Sequence, residues 1–140
     1  MIYLDTNILI YAIENHPVYG KACGKIMEDI ESERLKAGAS VLVLVEVLSV
    51  LNKINRLLKE EGKKQLDLRK NIEAILSLPI VWFDLNFMVI KRSSEYSYDV
   101  SGVDYVHVAT MDLNSISEVI SADEELDKIK PIRRIDPRET

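Results

Sequence analysis

Apolar residues recur along this chain with two alternating periods. Residues 1–4 (Met1, Ile2, Tyr3, Leu4) are apolar on both sides of an extended segment, as in a strand covered on both faces. Asp5, Thr6 and Asn7 interrupt the run, and residues 8–13 resume it as the start of a helix. Over residues 18–35, Ala22, Ile26, Met27, Ile30 and Leu35 form a stripe at helical spacing, with Glu28, Glu31 and Glu33 on the water side. Residues 36–40 fit a short strand. Residues 41–45 alone look β-like, but the spacing of Leu48, Leu51, Ile54 and Leu58 makes 41–59 one long helix. A polar turn at 60–64 follows, then helical spacing over 66–78 that Pro79 stops. Residues 80–83 read as a strand, 85–98 and 101–113 as helices, 118–121 as a strand, 124–129 as a short helix and 132–135 as an edge strand before a polar tail. Regular strand–helix alternation predicts an α/β fold with a parallel sheet covered on both faces. No repeat or linker breaks the pattern, so residues 1–140 are expected to form one domain.

A chain of 140 residues buries enough surface for one real core. Its single cysteine, Cys23, excludes an internal disulfide and suits a reducing, cytoplasmic setting. No basic leader and no apolar run of about 18 residues is visible, so neither a signal peptide nor a membrane span is expected. The net charge of −5 argues against indiscriminate nucleic-acid binding. It is compatible with an acidic reaction centre flanked by local basic clusters, such as Lys53, Arg56 and Lys59, or Lys128, Lys130, Arg133 and Arg134.

Four acids stand where an apolar element ends or a helix begins: Asp5, Glu46, Asp104 and Asp123. Asp5 and Asp123 each follow a predicted strand and precede a helix. Each therefore reads equally as a helix N-cap or as a ligand at the carboxyl end of a strand. Ser101 with Asp104 resembles a capping box that has Asp in place of Glu or Gln. Glu46 shares a polar stripe with Ser49, Lys53 and Arg56, which solvation explains and which also suits a phosphate track. His107, one turn beyond Asp104, reads as a core histidine or a substrate contact. Asn7, two residues after Asp5, has no proton to give as an acid, which disfavours aspartyl-phosphate chemistry; it is suited to orienting Asp5. Thr6 and Ser121 are further candidates for support. Carboxylates gathered in one crevice raise one another's pKa unless a cation joins them. An all-oxygen set of this kind suits Mg²⁺ or Mn²⁺ rather than zinc.

The joint pattern resembles the PIN-domain ribonucleases. Leu4-Asp5-Thr6-Asn7, Val45-Glu46-Val47-Leu48, the run from Asp104 through His107 to Ala109, and Val119-Ile120-Ser121-Ala122-Asp123 match its four acidic motifs in order. The resemblance implies a three-layer α/β/α sandwich with a five-stranded parallel sheet in the order 3-2-1-4-5. It also implies a metal-dependent endoribonuclease in which Asp5, Glu46, Asp104 and Asp123 bind Mg²⁺ or Mn²⁺, supported by Thr6, Asn7 and Ser121. The size is similar to VapC-type toxins, which are cytoplasmic, commonly dimeric and inhibited by an antitoxin protein. Two departures are Ser121, where threonine is frequent, and the polar insertion at residues 60–65. The residues alone leave open a non-catalytic RNA- or protein-binding module on the same fold.

Overall fold

The computed structural model describes residues 1–140, apart from the side chain of Val103. Ile2–Leu4 form strand β1, fully buried because successive side chains enter opposite cores. Ile2 and Leu4 join one apolar cluster with Ile8, Ile26, Ala39, Val43 and Leu51. Tyr3 joins a second with Val108, Met111, Val119 and Ile129. The other strands are β2 (Ala37–Ser40), β3 (Ile80–Phe83), β4 (Glu118–Ile120) and β5 (Arg133–Ile135). All pair in parallel, in the order β3-β2-β1-β4-β5. The helices are α1 (Thr6–Glu14), α2 (Gly20–Glu31), α3 (Leu42–Glu60), α4 (Leu68–Leu76), α5 (Phe87–Ser93) and α6 (Gly102–Leu113). The expected sandwich and strand order are therefore present. Among the described residues, no helix is long and apolar enough to cross a membrane.

The differences from the sequence reading lie at element ends. The helix expected over 18–35 closes at Glu31, and the chain turns through Glu33 at φ 60°. The helix expected over 85–98 is only Phe87–Ser93. Asn86 caps its start, and the Ser93 and Ser94 hydroxyls donate back to the carbonyls of Val89 and Lys91 at its end. Tyr96 and Tyr98 beyond it pack on the second core instead. The segment after β4 is a 3-10 helix, Glu124–Lys128. The polar tail holds another, Pro137–Glu139, capped by Asp136. The β-like residues before Glu46 are helical: α3 begins at Leu42 directly after β2, Val43 and Val47 fill the core from one helix face, and the Ser40 hydroxyl accepts from the Leu42 amide.

Candidate active site

The chain runs β1 to β2 to β3 on one side of the sheet, then returns to place β4 on the other side of β1. The carboxyl ends of β1 and β4 thus lie at the point where strand order reverses, where crevices form in open α/β sheets. Asp5 follows β1 directly, and its amide extends the ladder to the Ile120 carbonyl at 3.1 Å. Asn7 Oδ1 accepts from the Ala122 amide at 3.2 Å, joining the two strand exits. A crevice of about 410 Å³ opens here, lined by Asp5, Thr6, Asn7, Ile10, Tyr11, Glu14, Glu46, Val50, Asp104 and Asp123.

Each acid is tethered. Asp5 Oδ1 accepts from the Thr6 amide at 2.7 Å. Its Oδ2 accepts from the Ser121 hydroxyl at 2.6 Å and from Asn7 Nδ2 at 3.2 Å. Burial pushes the Asp5 carboxyl above the ordinary range; the Ser121 and Thr6 donors oppose the rise, and the Glu46 charge adds to it. Glu46 Oε1 accepts from the Thr6 hydroxyl at 3.0 Å and meets His107 Nε2 at 2.6 Å. Asp104 Oδ2 accepts from the Ser101 hydroxyl at 3.1 Å, and that hydroxyl accepts from the Asp104 amide. Burial raises the Asp104 carboxyl too; the Ser101 bonds oppose it and the Asp123 charge reinforces it. Asp123 Oδ1 accepts from the Glu125 amide at 3.0 Å.

Asp5 and Asp123 are thus helix caps and crevice carboxylates at once, and Asp104 is a crevice carboxylate in the first turn of the helix that Ser101 caps. Three of the four acids spend one oxygen on the protein. Glu46 Oε2, Asp104 Oδ1 and Asp123 Oδ2 have no hydrogen-bond partner among the described residues. In chemistry this set fits a hard divalent cation, because every donor is an oxygen and burial penalises the ionised forms of Asp5 and Asp104. In spacing it is an open set: among the described residues, no three of His, Cys, Asp and Glu are grouped to hold a metal ion.

Ser49, Lys53 and Arg56 are exposed, and none of them lines the crevice. Val50, one turn past Glu46, occupies the lining position on α3. Lys53, seven residues beyond Glu46, lies two turns further along nearly the same helix face. His107 is buried, and both ring nitrogens are engaged within the protein, Nδ1 by the Tyr3 hydroxyl at 2.6 Å. To contact a substrate it would have to give one of them up. Tyr11 and Glu14 were not singled out from the sequence. Their spacing from Asn7, four and seven residues, marks one face of α1 and was the available signal.

The PIN domain family model matches residues 2–131. The chain belongs to the PIN-domain family. Among curated proteins, none matches it. Several solved structures share the fold of this PIN domain. A toxin–antitoxin complex from Klebsiella pneumoniae aligns over 100% of both chains at 17% identity and a TM-score of 0.67. VapBC2 from Rickettsia felis, bound to a promoter DNA fragment, aligns over 96% of this chain and 98% of its own at 18% identity and a TM-score of 0.69. VapC20 of Mycobacterium tuberculosis, a toxin that cleaves the sarcin–ricin loop, aligns over 85% of this chain and 87% of its own at 15% identity and a TM-score of 0.62. At these identities the likeness carries the PIN fold.

Proposed function

We propose that this PIN domain, taken as one unit over residues 1–140, is an endoribonuclease that hydrolyses RNA phosphodiester bonds in the crevice between β1 and β4. The supporting observation is the convergence of Asp5, Glu46, Asp104 and Asp123, from four separate stretches of chain, on one cavity. These four would hold Mg²⁺ or Mn²⁺. When bound, such an ion supplies charge stabilisation for the phosphoryl oxygens and offsets the repulsion among the acids. The residues around it orient the ligands. Thr6, Asn7 and Ser121 hold Asp5, and Thr6 also holds Glu46. Ser49, Lys53 and Arg56 would meet the phosphate backbone outside the crevice. The toxin–antitoxin structures that share the fold support a further reading: the toxin of a type II toxin–antitoxin pair, with an antitoxin protein as its partner. With that reading go a cytoplasmic setting and a homodimer or higher homo-oligomer.

The rival, a non-catalytic RNA- or protein-binding module, draws on the open spacing of the acids. RNA cleavage with Mn²⁺ or with EDTA, run on wild type and Asp5→Asn, separates the two, together with calorimetric titration of both proteins with Mn²⁺. Metal-dependent cutting that Asp5→Asn abolishes is the expected result. Equal cutting by both proteins refutes the assignment. RNA binding with neither cutting nor Mn²⁺ binding establishes the module.

A further inference from the structure

One oxygen of Glu46 ends a buried chain of hydrogen bonds that the proposed reaction does not itself use. Tyr3, on β1, is fully buried, and His107, on α6, is 6% exposed. Their rings meet edge to face, with centroids 5.6 Å apart and planes at 63°. The Ser40 amide donates to the Tyr3 hydroxyl oxygen at 3.0 Å. The phenol keeps one proton to donate; the Ser40 hydroxyl also lies beside it, and His107 Nδ1, at 2.6 Å, is the acceptor in hydrogen-bonding geometry. Nδ1 therefore accepts, and the neutral ring carries its proton on Nε2, which donates to Glu46 Oε1 at 2.6 Å. The opposite polarity would leave a buried hydroxyl proton unpaired, which is the more costly arrangement.

The chain thus has one direction, from the Ser40 amide through Tyr3 and His107 to Glu46. The Thr6 hydroxyl is a second donor on the same Oε1. Two donors saturate that oxygen, so Oε2 is the Glu46 oxygen left for the crevice. Glu46 has three rotatable side-chain bonds on a half-buried side chain, and its recorded hydrogen bonds, from His107 and Thr6, both fall on Oε1 and select one orientation.

Resting on the reading of the crevice as the reaction site, we propose that Tyr3 and His107 are positioning residues that fix the Glu46 carboxylate through the Nε2–H tautomer of His107. Partners that orient metal-ligating side chains typically alter affinity or activity 10- to 100-fold when lost. Tyr3→Phe removes a single oxygen. It is expected to lower kcat for RNA about 10-fold with little change in KM, and to weaken Mn²⁺ binding by a similar factor. His107→Ala should lose more, and His107→Gln, which restores a donor toward Glu46, should recover part of the loss.

The direct readout is ¹⁵N NMR of the His107 ring in the metal-free protein. Wild type should show the Nε2–H tautomer alone, and Tyr3→Phe a mixture. A wild-type Nδ1–H ring overturns the proposal. So does wild-type kcat together with wild-type Mn²⁺ affinity in folded Tyr3→Phe and His107→Gln. Should wild type neither cut RNA nor bind Mn²⁺, the reading of the crevice fails, while the tautomer still decides whether this pair holds Glu46.

Discussion

Ser121 is the smallest side chain in the site with the most attached to it. It has no exposed surface, and its hydroxyl makes three hydrogen bonds. It donates to Asp5 Oδ2 at 2.6 Å and accepts from Asn7 Nδ2 at 3.2 Å and from the Asp123 amide at 3.0 Å. Ser121→Ala deletes one oxygen and leaves almost no cavity, so the cost is polar. Losing a hydrogen bond to a charged group costs about 1.5–3 kcal/mol, and leaving a buried amide unsatisfied costs about 1–3 kcal/mol. With partial compensation by water, we expect a loss of about 3 kcal/mol, or roughly 10 °C in Tm for a domain of this size. Because the hydroxyl also opposes the upward shift of the Asp5 carboxyl, Mn²⁺ affinity at neutral pH should fall about 10- to 100-fold. Urea denaturation and Mn²⁺ calorimetry measure the two effects. Ser121→Thr separates them: its extra methyl strains a closed site by about 1–3 kcal/mol, but the hydroxyl and the metal affinity stay. A Ser121→Ala protein with wild-type urea midpoint and wild-type Mn²⁺ affinity would refute the claim that this hydroxyl holds Asp5.

Other expectations are simpler. Asn55 is buried and binds both the amide and the carbonyl of Leu66, at 2.7 and 2.9 Å, so Asn55→Ala should lower stability by about 2–3 kcal/mol in urea while metal affinity stays unchanged. A Cβ at Gly20 would lie 2.6 Å from the Asn15 carbonyl carbon, whereas one at Gly24 meets nothing within 4 Å. Gly20→Ala should therefore destabilise by about 1–3 kcal/mol, and Gly24→Ala should stabilise by about 0.5–1 kcal/mol. The bonds from Arg138 hold the Asp136 carboxyl down at about 2. A depressed carboxyl contributes stability above its unfolded value that is lost as pH falls, so Asp136→Asn should flatten the acid limb of the urea midpoint between about pH 4 and 2. Asp5 and Asp104 have the opposite sign: burial raises both, so the metal-free protein loses stability as pH climbs from about 4 through their raised values.

The acids were legible because each stands beside an apolar run, and an ionised group there needs a specific partner or a helix end. Asp5 after Leu4 and Asp123 after Ile120 carry that signal most clearly. Tyr3 was not, because in sequence it is one more apolar residue of a strand, and the partner that gives its hydroxyl a task lies 104 positions away. Periodicity predicted the parallel sheet, but the strand order came only from resemblance, since nothing local says which strand flanks β1. The basic stripe on α3 was visible as a stripe. Whether it turns toward the crevice depends on how the helix is rotated on the sheet, which Val43, Val47 and Leu51 settle by filling the core. The early end of α5 turned on serine hydroxyls competing with the backbone, an effect that hydrophobic spacing does not register.

The central position of β1 has a consequence for the order in which the chain is made. Asp5 is synthesised 116 residues before its hydrogen-bond partner Ser121. Until β4 emerges and docks, one edge of β1 has no neighbour and the crevice lacks a wall. For the proposed nuclease, a nascent polypeptide therefore carries no assembled centre at the site of its own translation, surrounded by RNA. Parallel pairing over so long a separation is slow to form, which lengthens that harmless interval.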